Sequence, residues 1–251
     1  MKIKATALNN LKLQKAVNDE AKTLSSKSLK DAKCLIISAL RLYGFNTAFN
    51  VTLPPKVKKH KNIPSAPEVM KIIKGTPVEL PCLLAMWLSL RMSEVRGLKF
   101  KDLENGVLHI QRSKLVVGGK DVVREVNKTE SSTRSIALPE YLVSLIESVP
   151  HKSDDEFIIK DGYYGLLGKY KRLMKSNGLD TRFHDLRAVN ASVMLLLGIP
   201  DKYAMERGGW STPSVLKSVY QHTFSDERKL VDKRIDDYFN SLIVDTTVDT
   251  Q

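Results

Sequence analysis

Between Val51 and Pro64 the chain places Pro54, Pro55 and Pro64 around Lys56, Lys58, Lys59 and Lys61. Proline supplies no N–H to a helix or a strand ladder, and lysines this dense stay solvated. No helix or central strand runs through such a segment, so it splits the chain into a short first part and a long second one. Directly after it, Ser65-Ala66-Pro67-Glu68 spells a capping box, with Ser65 as N-cap and Glu68 reaching back. The expected organisation is a partial helical segment over 1–50, a basic linker over 51–64 and a second domain over 65–251.

The charge follows this division. The 251 residues carry 40 Lys plus Arg against 28 Asp plus Glu, a formal net charge of +12. Residues 1–70 hold 13 of those bases and 4 of the acids, whereas 71–251 hold 27 and 24. A basic excess concentrated in the first third points to a polyanion, nucleic acid before membrane, because no amphipathic anchor accompanies it. No apolar run approaches the roughly 20 residues of a membrane span, and Met1 to Asn10 lacks the apolar stretch of a signal peptide. Cys34 and Cys82 are too few for a disulfide framework or a Cys-rich zinc site. The expectation is a reduced, cytoplasmic, DNA-associated protein. The linker lysines read either as a solvated hinge or as a strap along a phosphate backbone, and the two are compatible.

Periodicity predicts helices over 7–22 and 26–44 in the first part, the second with Leu29, Ala32, Leu35, Ile36, Leu40 and Leu42 as its apolar positions. In the second part helices are expected over 66–73 and 78–90, with another starting at Ser93-Glu94. Residues 107–138 change period: Val107, His109 and Gln111 alternate with Leu108, Ile110 and Arg112. Gly118-Gly119 marks a hairpin turn, Val122 to Val126 the return strand and Ser135 to Leu138 a third strand. Helical patterns resume over 139–148, 163–176, 185–197, 201–207, 213–220 and 226–243. The fold class is therefore mainly α with a small three-stranded antiparallel sheet.

Four segments carry candidate chemistry. Arg91 sits between a very apolar helix and a new helix start, so its charge needs a partner: Glu94 three residues on, or a bound phosphate. Lys128 lies between two strands in Asn127 to Arg134 and taken alone is a solvated loop charge. His184 and Arg187 fall on one face of a helix whose N-terminus suits an anion. They equally suit a cap and an ion pair, and a metal reading lacks a second ligand at the right spacing. Gly208-Gly209-Trp210 turns into a short helix begun by Thr212-Pro213 and ended by Tyr220, a tyrosine that alone reads as packing.

Taken together, Arg91, Lys128, His184-x-x-Arg187, Gly209-Trp210 and Tyr220, in this order and in compatible local contexts, resemble the tyrosine recombinase (phage integrase) family. The resemblance covers about residues 60–245. It implies cleavage and rejoining of DNA by a strand transferase through a 3′-phosphotyrosyl intermediate, serving integration or excision of a phage or other mobile element. By it, Tyr220 is the nucleophile, His184 its base, Lys128 the acid for the departing 5′ oxygen, Arg91 and Arg187 the clamp on the non-bridging oxygens, and Trp210 an N–H donor to the phosphate. No metal and no cofactor is implied, because the covalent link conserves the phosphodiester energy. Lys56, Lys58, Lys59 and Lys61 are the candidate backbone contacts outside that set.

Three departures from the family pattern stand out: Trp210 where most members have His, Ser89 where they have Gly, and Arg207-Gly208-Gly209 for the commoner Leu-Gly. Residues 1–50 resemble the latter part of a core-binding domain. The amphipathic segment 226–243 implies docking in trans, joining four copies on two duplexes. A type IB topoisomerase and a non-catalytic DNA-binding scaffold are the alternatives.

Overall fold

The computed structural model describes residues 4–56, 63–125 and 133–210, together with 212, 213, 216, 233, 236, 237 and 240. It separates into two compact units, Met1–His60 and Lys61–Gln251.

The first unit holds α1 (Asn10–Glu20) and α2 (Ser26–Leu42). Each starts at a polar cap: the Asn9 side chain accepts from the Lys12 N–H at 2.9 Å, and Ser25 Oγ from the Ser28 N–H at 3.1 Å. The Asn9 cap is why α1 begins later than the predicted 7–22; Ala5–Ala7 form a separate 3₁₀ turn. Leu13, Val17, Leu29 and Val51 make a small core, with Phe49 and Leu53 packed against it. Val51 and Leu53 thus contribute to this unit although they fall within the expected linker. Only part of the α2 stripe is used: Leu29 and Leu40 are buried, whereas Leu35 and Leu42 are exposed.

The second unit begins with α3 (Ala66–Ile73), where Ser65 Oγ accepts from the Glu68 N–H at 3.4 Å. Then α4 (Glu79–Trp87) is apolar on every side, and Leu80 to Met86 are all buried. A helix without a polar face belongs inside a core, and α4 packs against α3, α5, α6 and α8. It stops at Trp87, short of the predicted 90, because Ser89 takes a left-handed backbone conformation with φ +56°. The short α5 (Met92–Gly97) follows. Its last residue lies against the next strand, where a Cβ on Gly97 would meet the Arg112 carbonyl oxygen at 2.9 Å.

The strands divide differently from the single sheet expected. β1 (Leu103–Glu104), β2 (Val107–Ile110) and β5 (Arg134–Ala137) form a three-stranded antiparallel sheet in the order β1-β2-β5. Its register sets Leu108 opposite Ile136, both buried. β3 (Ser113–Val117) and β4 (Lys120–Arg124) form a separate hairpin closed by Gly118-Gly119, both at positive φ. The return strand therefore pairs with 113–117 and not with 107–112. The break falls at Arg112, which is buried and held by Asp102 and by Glu125 at 3.0 Å. Arg96, fully buried, fastens the hairpin by donating to Asp121 at 2.6 Å and to the Lys114 carbonyl at 3.2 Å.

After the sheets come α6 (Glu140–Glu147), α7 (Tyr163–Ser176), α8 (Asp185–Leu196) and α9 (Asp201–Gly208), within a residue or two of the predicted spans. Beyond α9, Pro213 and Leu216 are helical, as are Lys233, Asp236, Asp237 and Asn240. The remainder of the predicted helices 213–220 and 226–243 lies outside the described residues.

Candidate active site

Arg91 occupies the N-cap position of α5, at the end of the buried turn Leu88-Ser89-Leu90. With Leu88 and Leu90 fully buried, the chain between two helices cannot swing, and Arg91 is aimed by its backbone. Glu94, one turn into α5, is itself buried and takes both ends of Arg91: Oε2 accepts the backbone N–H at 2.9 Å and Oε1 accepts Nη1 at 2.6 Å. Both partners foreseen for Arg91 therefore remain open to it, since its side chain is paired with Glu94 yet still 39% exposed.

The head of α8 is fixed from below. Phe183 is buried edge-on to Tyr170, ring centroids 5.4 Å apart, and Tyr170 shares a 2.9 Å hydrogen bond with Thr181. The buried Asp185 accepts the Arg182 N–H at 2.7 Å and the Arg182 side chain at 2.9 Å. His184, between those two anchors, faces outward and exposed at the N-cap position without making a capping bond. Protein crowded around the ring, then Arg187, Arg182 and Arg91, lower its pKa against a smaller opposing pull from Asp185. A histidine so placed is neutral at pH 7 and able to accept a proton.

Arg187, three residues on, is buried where His184 is exposed. It is 3% exposed, donates to the Ser89 carbonyl, and donates to the Gly208 carbonyl at 3.0 Å. Its guanidinium also lies over the Trp210 ring, 5.2 Å from the centroid. No carboxylate forms an ion pair with it among the described residues. Burial first, then Arg91 and Arg134, push its pKa well below the ordinary arginine range. That is the signature of a cation held ready for an anion rather than already neutralised.

The third wall is the end of α9. Gly209 closes the helix in the left-handed conformation, φ +62°, as a C-terminal glycine does. Gly208 has a separate reason to be glycine, because a Cβ there would run into the Trp210 ring. Trp210 is 6% exposed, and its backbone N–H donates to the Met205 carbonyl at 3.0 Å. The last carbonyls of a helix are unpaired and carry the negative end of its dipole. Here Gly208 gives its carbonyl to Arg187 and Gly209 gives its carbonyl to Arg91 at 3.2 Å.

Of the residues singled out from the sequence, the fold thus brings Arg91, His184, Arg187 and Trp210 together. Lys128, Tyr220, Lys58, Lys59 and Lys61 lie outside the described residues, and Lys56 is exposed at the end of the first unit's described chain. Of the other tyrosines near this end of the chain, Tyr203 is exposed on α9 and Tyr238 lies outside the described residues. Two participants were not singled out: the Ser89 carbonyl, which no side-chain motif can reveal, and Arg134, whose only signal was a basic residue heading an apolar strand. Beside the site, Trp87, Ile136, Met194, Leu197, Met205 and Trp210 help line an open groove of about 1170 Å³. Among the described residues no three His, Cys, Asp or Glu side chains gather as metal ligands do, and no helix is long and apolar enough to cross a membrane.

The helical scaffold that carries these guanidiniums, the histidine and the tryptophan has counterparts. Residues 62–227 match the Phage integrase family, and the chain belongs to it. A tyrosine recombinase XerC-like protein of Caldanaerobacter subterraneus subsp. tengcongensis is 24% identical over 204 residues, 68% of this chain and 52% of that protein. The integrase of Mycobacterium phage FRAT1 is 30% identical over 170 residues, 59% of this chain and 50% of that one. The chain therefore spans about half the length of these relatives. The fold is shared with the Tn1549 transposon integrase in complex with transposon right end DNA, at TM-score 0.71 and 19% identity over 94% of this chain and 88% of that one. It is shared also with a lambda integrase dimer bound to a core site, at TM-score 0.62 and 18% identity, over 85% and 80% of the two chains.

Proposed function

We propose that the chain is a site-specific DNA recombinase, a strand transferase that integrates or excises a mobile element. The observation that carries this reading is the meeting of Arg91 and Arg187, nearly a hundred residues apart in sequence, on adjacent carbonyls at the end of α9, with His184 at the head of the helix that bears Arg187. Two fixed guanidiniums suit the doubly shared charge of a phosphodiester in its pentavalent transition state. In this reading Tyr220 attacks phosphorus, His184 takes the phenol proton, the P–O5′ bond breaks, and Lys128 protonates the departing oxygen. Trp210 offers one N–H and no proton transfer. Rejoining runs the same steps backwards, so the two ends need no external energy source.

The partner in this reading is double-stranded DNA, with Lys56, Lys58, Lys59 and Lys61 along the backbone; the Tn1549 transposon integrase was solved in complex with transposon right end DNA. Assembly of four copies through segment 226–243 in trans extends the reading. The apolar groove beside Trp210 supports it as a receptor, and the exposure of Lys233, Asp236, Asp237 and Asn240 fits the polar side of an amphipathic helix.

The test is covalent capture. The full chain is incubated with a pool of nicked duplexes carrying a randomised core, and SDS-stable adducts are recovered and sequenced. Adducts enriched for one sequence and abolished by Tyr220→Phe are expected. Adducts that survive Tyr220→Phe would overturn the nucleophile. Adducts without sequence preference would favour a topoisomerase, and their absence a DNA-binding scaffold.

A further inference from the structure

Three consecutive carbonyls close α9, and each accepts from a different arginine. Arg207 O receives Arg134 Nε at 3.1 Å, Gly208 O receives Arg187 at 3.0 Å, and Gly209 O receives Arg91 at 3.2 Å. Arg134 reaches a second group as well, since its Nη2 lies 3.4 Å from Glu94 Oε2, the oxygen that also accepts the Arg91 N–H. Glu94 is thus a buried carboxylate, its side chain 3% exposed, between two guanidiniums. Arg134 is itself only 8% exposed, against 39% for Arg91, so it stands behind the face that a phosphate approaches.

We infer that Arg134 is a positioning residue for the phosphate clamp: it offsets the charge of Glu94 and fixes the end of α9, so that Arg91 and Arg187 present net positive charge to the scissile phosphate. The inference rests on the phosphodiester reading above. Among the described residues, with Arg134 present, Arg91, Arg134 and Arg187 stand against the one carboxylate of Glu94, an excess of two positive charges. Without it, Glu94 at 2.6 Å largely cancels Arg91, and Arg187 alone opposes the phosphate. A lysine carries the charge but lacks the fork that spans Glu94 and the Arg207 carbonyl together. The coupling is visible in Arg134 itself: burial lowers its pKa, Glu94 opposes this, and Arg91 and Arg207 add to it.

The test uses the duplex recovered by covalent capture, made in two forms: with the ordinary phosphate at the cleaved position, and with a neutral methylphosphonate there. For Arg134→Gln in the full chain, the adduct rate is expected to fall roughly tenfold to hundredfold on the phosphate. On the methylphosphonate, where one fewer negative charge needs holding, the loss is expected to be no more than about threefold. Equal losses on both substrates mean a merely structural role and overturn the inference, as does a parent-like rate on the phosphate. Should Arg134→Gln fail to fold, Glu94→Gln/Arg134→Gln removes the buried carboxylate with its partner and leaves the clamp's net charge unchanged. Its ratio of phosphate to methylphosphonate rates is then expected to match the parent's, and a tenfold shift toward the methylphosphonate overturns the inference. No adduct from the parent chain would overturn the proposed function and this inference with it.

Discussion

His184 occupies a helix N-cap position without capping the helix, and the reason lies on either side of it. Phe183 is anchored in the core, and Asp185 is spent on the Arg182 backbone, so the imidazole between them is left to face outward. Its pKa is lowered, which sets the direction of its pH dependence. The neutral, proton-accepting form persists below the ordinary value of 6.5 and is lost only as pH falls through the depressed one. Adduct formation under single-turnover conditions with subsaturating DNA reports the free protein. Its acid limb is expected to have a midpoint below 6.5, and His184→Gln to remove that limb while costing roughly 10²–10⁴-fold in rate. A limb centred above that value would exclude His184 as the base. What the sequence showed of this residue was its spacing to Arg187. That one of the two side chains is exposed and the other buried came from the packing of α8.

At the scale of elements, the α4–α5 junction does the most with the least chain. Three residues, Leu88, Ser89 and Leu90, turn one buried helix into the next. Ser89 takes φ +56° and its hydroxyl is buried with no hydrogen-bond partner among the described residues, yet its carbonyl holds Arg187. Family members commonly have glycine here, and the geometry explains the preference, because only the backbone of this residue is used. Ser89→Gly is expected to stabilise the second unit by about 1 kcal/mol: relief of the left-handed strain and of the unpaired hydroxyl outweighs the added freedom of the unfolded chain. Thermal unfolding should register a rise of about 2–4 °C, with the adduct rate unchanged. A lower melting temperature would mean that the hydroxyl has a partner after all. The strand region teaches the complementary lesson. Alternation and Gly118-Gly119 marked strands and a turn correctly, but strand partners depend on where Arg112 is buried, and a local pattern does not report that.

For the whole molecule, the net charge of +12 divides into two kinds of work. The site spends three arginines on one small region, while the linker lysines are distributed over residues 56–61 of the sequence. If Lys56, Lys58, Lys59 and Lys61 each meet a backbone phosphate, converting all four to Gln weakens DNA binding and makes the plot of log affinity against log salt less steep by about 0.9 for every phosphate no longer neutralised. Titration of labelled duplex across a salt series measures this, and an unchanged slope would assign the lysines to solvent. The two-part organisation and the helices were readable because caps, prolines and apolar periods act over a few residues. The order of the site motifs was readable because each kept its local context. By itself, then, the sequence determined the elements and the types of side chain available for chemistry. Tertiary structure alone decided that the end of α9 would gather Arg91, Arg134 and Arg187, because unpaired carbonyls at a buried helix terminus must find donors, and the nearest in space lie 21 to 118 residues away in sequence.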